Sequence, residues 1–234
     1  MPLFHTDAVQ AVNYLDLNVE KLGVDLLTLS GAKVEGAGRV GVLYKRSAVK
    51  LVPVLGGGDQ EMGLRPGTEN LGEILKFSSA LEKVQRIREK ESQRLTKLRD
   101  YFFKQLGKMS KTAFDKNMSR AVLDTKKGNF AELVVNGDLE KRLPNNVNIT
   151  IPKIPSSLLV IELSARGIMA SSKSACKSSN TEGSYVIKAI RPEADPEIGG
   201  VRFSLGRKTT RKDIDYTAKS LSEILTKLKK WYNG

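Results

Sequence analysis

Residues 24–44, VDLLTLSGAKVEGAGRVGVLY, decide the fold. Two short apolar, partly β-branched runs, 24–30 and 40–44, lie on either side of a glycine-rich turn, with Gly23 and Gly38 close ahead of them. Runs this short, bounded by glycine, read as buried strands rather than helices. Residues 3–8 supply a third candidate strand. Residues 55–67, LGGGDQEMGLRPG, hold too much glycine for regular structure. A long helical pattern follows, with Ile74, Phe77, Leu81, Val84 and Ile87, then Leu95, Leu98, Phe102 and Leu106 at spacings of three and four, and a break expected near Glu91. Residues 107–145 are polar and weakly patterned. Beyond them the pattern predicts a strand over 147–151, a helix over 158–165 and a strand over 201–205. Thr210 and Asp213 have the spacing of a capping box, opening a helix through Ile214, Ala218, Leu221, Leu225 and Leu228. The order predicts an α/β piece over 1–90 that ends in a long linking helix, then a smaller α+β piece over 91–234.

Composition sets the outer bounds. With 40% hydrophobic residues in 234, the chain can bury a core, which argues against intrinsic disorder. No apolar stretch approaches the ~18–20 residues that span a bilayer. The start, MPLFHTD, lacks the basic and apolar regions of a secretory signal, so the cytoplasm is the expected location. One cysteine makes neither an internal disulfide nor a multi-cysteine metal site. The net charge of +13 is concentrated in residues 81–120 and 201–234. Both blocks read as solvated faces of amphipathic helices, and no aromatic residues interleave with the charge as stacking platforms for nucleic acid.

Four features depart from what a core or a solvated surface needs. Asp7 ends a strand, where α/β proteins gather ligand sites; an ordinary turn or cap aspartate is the alternative. Lys33 directly follows a strand and precedes a flexible glycine run. Held near a core it would serve as a carbonyl-trapping amine, since burial disfavours the ammonium; otherwise it is one more surface lysine. Cys176 sits among small polar residues with Lys173 and Lys177 nearby, which would favour the reactive thiolate; an incidental surface thiol is the alternative. Arg202, inside a strand pattern, needs an anion: a substrate carboxylate or a structural ion pair. His5, the single histidine, reads as a packed or locally bonded residue rather than a general base.

Together these features resemble one family. Residues 4–10 (FHTDAVQ), 30–33 (SGAK), 56–70 (GGGDQEMGLRPGTEN), 143–148 (LPNNVN), 171–176 (SSKSAC) and 201–207 (VRFSLGR) are similar, in order and along the whole chain, to the motifs of cysteine desulfurases. These are pyridoxal-phosphate enzymes of the class V aminotransferase group. The resemblance implies part of the large domain of an aminotransferase of fold type I, with a mixed sheet, followed by the small α+β domain. It implies Lys33 as the Schiff-base residue, Asp7 paired with the pyridine nitrogen, Gln10 on the ring hydroxyl and Ser30 on the phosphate. Thr68 would reach the phosphate of a neighbouring subunit, making a homodimer part of the site. Arg202 would hold the substrate carboxylate, and Cys176 would take sulfur from L-cysteine as a persulfide, releasing alanine. A sulfur-acceptor protein, serving iron–sulfur clusters or thiolation, would be the partner.

The chain also departs from that family. Ala32 stands where histidine is usual, Ala37 replaces a common proline, Arg39 displaces a glycine and Lys173 stands where the cysteine loop commonly has glycine. Family members carry a long segment ahead of this one, so the chain is expected to be the C-terminal portion, needing its missing half for activity. The alternatives are a non-catalytic interaction remnant, or a transaminase or lyase of the same cofactor group, which shares Asp7, Lys33 and Arg202 but needs no thiol on a loop.

Overall fold

The computed structural model describes residues 2–109, 133–172, 184–190 and 199–232, with side chains to 228. The chain divides into two compact units, Met1–Glu91 and Ser92–Gly234.

The first unit is built on a three-stranded sheet in the order β1 (His5–Asp7), β2 (Leu26–Ser30), β3 (Gly41–Lys45). β1 and β2 are parallel, with Asp7 opposite Thr28, whereas β2 and β3 are antiparallel, with Ser30 opposite Gly41. The parallel pair requires a crossover. It contains α1 (Val19–Leu22), which Asn18 caps through Oδ1 to the Glu20 and Lys21 amides and Gly23 ends at φ 65°. Gly23 is the residue that tolerates this left-handed cap. Alternation along β2 buries Leu27 and Leu29 on one face. They pack with Val12, Val24 and Val34, and with Phe77, Ala80 and Val84 of the helix α2 (Leu71–Met109). The opposite face carries His5, Asp7, Thr28, Ser30 and Leu43, none of them fully buried.

α2 corrects one expectation. It runs through Glu91 without a break. The apolar stripe lapses over residues 88–94, but REKESQR contains neither glycine nor proline, so backbone hydrogen bonding continues where the stripe does not. Asn70 starts the helix, its Oδ1 accepting from the Glu73 amide at 3.2 Å.

The second unit holds an antiparallel sheet in the order β4 (Val134–Val135), β5 (Asn146–Thr150), β6 (Val201–Ser204). β4 lies in the polar, weakly patterned stretch over 107–145; two residues are too few to show a period. Val135, Val147, Ile149, Val201 and Phe203 form the core face, against α3 (Ser156–Ser164) and α5 (Arg211–Tyr232). Phe102 meets Phe203 edge-on, with ring centroids 5.2 Å apart. The capping box of α5 is reciprocal. Thr210 Oγ1 accepts from the Asp213 amide at 3.3 Å, while Asp213 Oδ2 accepts from the Thr210 amide at 2.8 Å. A short helix, α4 (Tyr185–Ile190), had no counterpart in the sequence reading. None of the described helices is long and apolar enough to cross a membrane.

Candidate active site

In the first unit the site grows from the carboxyl ends of two adjacent parallel strands. β1 ends at Asp7 and β2 at Ser30, and the chain then tightens into a single 3-10 turn over Gly31–Lys33. Such strand ends are where open α/β sheets present groups to ligands. Gly31 makes the turn possible: a Cβ there would lie 2.9 Å from the Gly38 carbonyl oxygen and 3.0 Å from that of Ala37. The loop is closed by the Gly31 amide on the Val40 carbonyl at 2.7 Å and the Ala37 amide on the Val34 carbonyl at 3.0 Å. Val34 and Ala37 are buried and anchor it.

Asp7 is exposed and folds one oxygen back, Oδ1 accepting from the Val9 amide at 3.0 Å. Gln10 is exposed in the turns that follow, and Asn13, three residues on, donates from Nδ2 to the Lys33 carbonyl at 2.7 Å. Gln85 of α2 secures the same turns by donating to the Val12 carbonyl at 2.9 Å. The structure therefore brings Asp7, Gln10, Ser30 and Lys33 to one end of one sheet. Of the two alternatives for Lys33, near the core or on the surface, the structure has the second. The side chain is exposed, because the 3-10 turn sends Val34 rather than Lys33 into the core.

His5 is locally bonded, its Nε2 lying 2.8 Å from Thr28 Oγ1 across the β1–β2 pair. Thr68 is exposed in the loop ahead of α2. Gln60 braces that loop, its Oε1 accepting from the Gly67 amide at 3.1 Å. Glu73 connects α2 to the glycine turn: Oε2 accepts from the Arg39 amide at 3.2 Å and Oε1 pairs with Lys76 Nζ at 2.7 Å. The Lys76 bond first, then the Arg39 amide, holds the Glu73 carboxyl below its ordinary range. A side chain at Gly38 (φ 70°) would run into this carboxylate, 1.8 Å from Oε2.

In the second unit Arg202 is half-buried on β6, on the polar face of its sheet. Asn148 of β5 stands opposite it, and on its other side Ser171 pairs with it through two backbone bonds, of 3.1 and 2.8 Å. No ion pair between Arg202 and an acid occurs among the described residues. Cys176, with Lys173 and Lys177, lies outside the described residues. Among the described residues no cluster of histidine, cysteine and acids has the makings of a metal site.

The sequence reading missed Asn13, Gln85 and Glu73, which support the turns carrying Gln10 and Lys33. Asn13 left a faint signal, a lone amide between Val12 and Tyr14.

Comparison with known proteins places this geometry. The pattern of the aminotransferase class-V family matches residues 2–217. The chain is 37% identical over 226 residues to cysteine desulfurase IscS of Dictyoglomus turgidum, covering 97% of this chain and 52% of that protein. It is 39% identical to cysteine desulfurase IscS of Methanosarcina thermophila, over 97% of this chain and 51% of that one. A solved NifS-like protein superposes with a TM-score of 0.77 at 29% identity, over 97% of this chain and 53% of its own. A NifS-like protein from Rickettsia africae gives 0.73 at 27%, over 95% and 53%. The chain thus spans about half the length of the curated relatives it matches. A mixed sheet with its polar groups at the strand ends, a small antiparallel domain bearing an arginine, and a family match along nearly the whole chain agree: this chain belongs to the aminotransferase class-V family.

Proposed function

We propose that the chain is the pyridoxal-phosphate- and substrate-carboxylate-binding portion of a cysteine desulfurase. The observation that carries this reading is the gathering of Asp7, Gln10, Ser30 and Lys33 at the ends of β1 and β2, in a chain similar along 97% of its length to cysteine desulfurases. The donor set fits the cofactor: an amine for its aldehyde, a carboxylate for its ring nitrogen, an amide for its ring oxygen and a hydroxyl for its phosphate. Lys33 would hold it covalently through Nζ, Asp7 would keep the ring nitrogen protonated, Gln10 would bond the ring oxygen and Ser30 the phosphate. Thr68 would serve the phosphate of a second subunit, in a homodimer. When bound, pyridoxal phosphate supplies an electron-accepting ring.

This chain's own residues do the rest. The Asn13 bond to the Lys33 carbonyl fixes the backbone from which the amine projects. Arg202 binds and orients the carboxylate of L-cysteine. Cys176 attacks the substrate sulfur; the carbon–sulfur bond breaks, a sulfur–sulfur bond forms on the protein, and the thiol proton balances the alanine released. An acceptor protein would then take the sulfur, for iron–sulfur clusters or thiolation, in the cytoplasm. Activity would need the portion of the relatives that this chain does not span.

The test is addition of pyridoxal phosphate to the purified chain. A visible absorbance band that disappears in Lys33→Ala supports the reading; a band unchanged by that substitution overturns the role of Lys33. Release of alanine and sulfide from L-cysteine, lost in Cys176→Ala, separates a desulfurase from a transaminase or lyase, which would be indifferent to the thiol. A second reading, a non-catalytic interaction module, is favoured by the exposure of Leu3, Phe4 and Leu43 around the open side of the first sheet. It would give no band with either protein.

A further inference from the structure

We propose that Asn148 is a second contact for the substrate carboxylate, donating amide N–H groups beside the Arg202 guanidinium. This rests on the reading of Arg202 given above and names a residue to which that reading assigns nothing.

A chain of hydrogen bonds in the second unit fixes which way the Asn148 amide faces. The Gly199 carbonyl can only accept, so the hydroxyl of Thr150, 3.0 Å away, commits its single proton there. Thr150 Oγ1 must then accept from its other close neighbour, Asn136 Nδ2 at 2.9 Å; its 3.3 Å approach to Asn136 Oδ1 has no proton left to use. That orients Asn136, which is buried, with its amino group towards Asn148 as well. Asn148 therefore meets it with an oxygen, Oδ1 at 2.8 Å. The amino group of Asn148 faces the other way.

Two features hold this polarity. The Asn136 amide bonds the Asn148 carbonyl at 2.9 Å, and Arg142 Nη2 donates to the Asn136 carbonyl at 2.8 Å, so Asn136 is held from both sides. Gly200 leaves the side chains room. A Cβ there would lie 2.6 Å from Asn148 Oδ1 and 2.9 Å from Asn136 Nδ2.

Register supplies the rest. Asn148 and Arg202 are directly opposite across β5 and β6, so their side chains rise from one face with Cβ atoms ~5 Å apart. Both are half-buried, open enough to meet a ligand. A guanidinium and an amide amino group side by side offer donors without an acceptor, a pairing suited to the two oxygens of a carboxylate.

The experiment follows the Asn148 side-chain amide by nuclear magnetic resonance in the full chain, titrated with L-alanine and, separately, with ethylamine, which lacks the carboxylate. L-alanine is expected to shift that amide and ethylamine to leave it in place. Asn148→Ala should weaken L-alanine about tenfold, the worth of one charge-assisted hydrogen bond. Asn148→Asp keeps the oxygen that Asn136 needs but turns the donors into a negative acceptor, so it should weaken L-alanine further while the backbone amides of β5 and β6 stay in place. If Asn148→Asp preserves both that spectrum and the affinity, while Arg202→Ala abolishes binding, the role of Asn148 is overturned and that of Arg202 stands. An affinity indifferent to Arg202→Ala overturns the reading of Arg202 and this inference with it. Should both Asn148 variants lose the β5–β6 spectrum, the unsubstituted chain decides: an Asn148 amide that L-alanine does not shift overturns the proposal.

Discussion

The two units support their functional groups in different ways. In Met1–Glu91, Asp7 is exposed at the last position of a strand, Gln10 and Lys33 are exposed on turns that follow strand ends, and ten buried apolar residues form the described core beneath them. In Ser92–Gly234, Arg202 and Asn148 lie within paired strands over a described core of twenty. Turn-borne groups are held by a few individual hydrogen bonds, whereas strand-borne groups inherit the rigidity of the sheet. The first arrangement suits residues that surround a cofactor of several separate polar edges. The second suits a clamp for one small planar anion.

That contrast can be broken or sharpened by substitution. The largest effect is expected from Phe102→Ala, which removes a side chain 1% exposed and its edge-on contact with Phe203. It should cost about 3–5 kcal/mol, read as a lowered urea midpoint for the second unit. A loss below about 1 kcal/mol would show that this core does not stiffen the strands carrying Arg202 and Asn148.

Gly31→Ala comes next, at about 1–3 kcal/mol, because the new methyl meets backbone oxygens that cannot swing away. Hydrogen exchange should quicken at the Gly31 and Ala37 amides, which close the turn, and the pyridoxal-phosphate band should weaken. Unchanged exchange at those amides would mean that the turn does not depend on this glycine.

Thr210→Ala removes the α5 cap and should cost about 1 kcal/mol at neutral pH. The Thr210 amide and hydroxyl hold the Asp213 carboxyl below the ordinary range. A carboxyl lowered on folding stabilises fully above its unfolded value, near 4, and that contribution fades as the pH falls through the folded value. The gap between the parent and Thr210→Ala should therefore narrow as the pH falls below about 4, because the bond from the Thr210 hydroxyl to the Asp213 carboxylate is lost while the bond from the Asp213 amide to Thr210 Oγ1 remains. A gap that does not change in acid would detach the cap from the carboxylate.

The smallest effect belongs to Asn13→Ala, which loses one exposed bond to the Lys33 carbonyl. About 0.5–1 kcal/mol is expected, yet cofactor binding should suffer more than stability, since that bond steadies the turn beneath the amine. Equal losses in both would make Asn13 a structural residue alone.

Much of this was legible in the residues. Glycine boundaries and β-branched runs marked β2 and β3, and the Thr210–Asp213 spacing marked the cap that forms. The motif from residue 30 to 33 located the turn bearing Lys33. Three things were not legible. α2 passes Glu91 because helix propensity continues where the apolar stripe fails. β4 exists because β5 pairs with it, with no period of its own to read. The choice left open for Lys33, core or surface, is made by a tight 3-10 turn that sends Val34 inward and leaves Lys33 exposed.

Local rules are enough to say which residues end strands and cap helices, since alternation, turn chemistry and capping act within a few positions of the chain. Which way the Asn148 amide faces belongs to tertiary structure alone. That choice passes from the Gly199 carbonyl to Thr150, 49 positions away along the chain, and from Thr150 to Asn136, 14 positions away. Hydrogen-bond polarity is settled only when distant donors and acceptors meet.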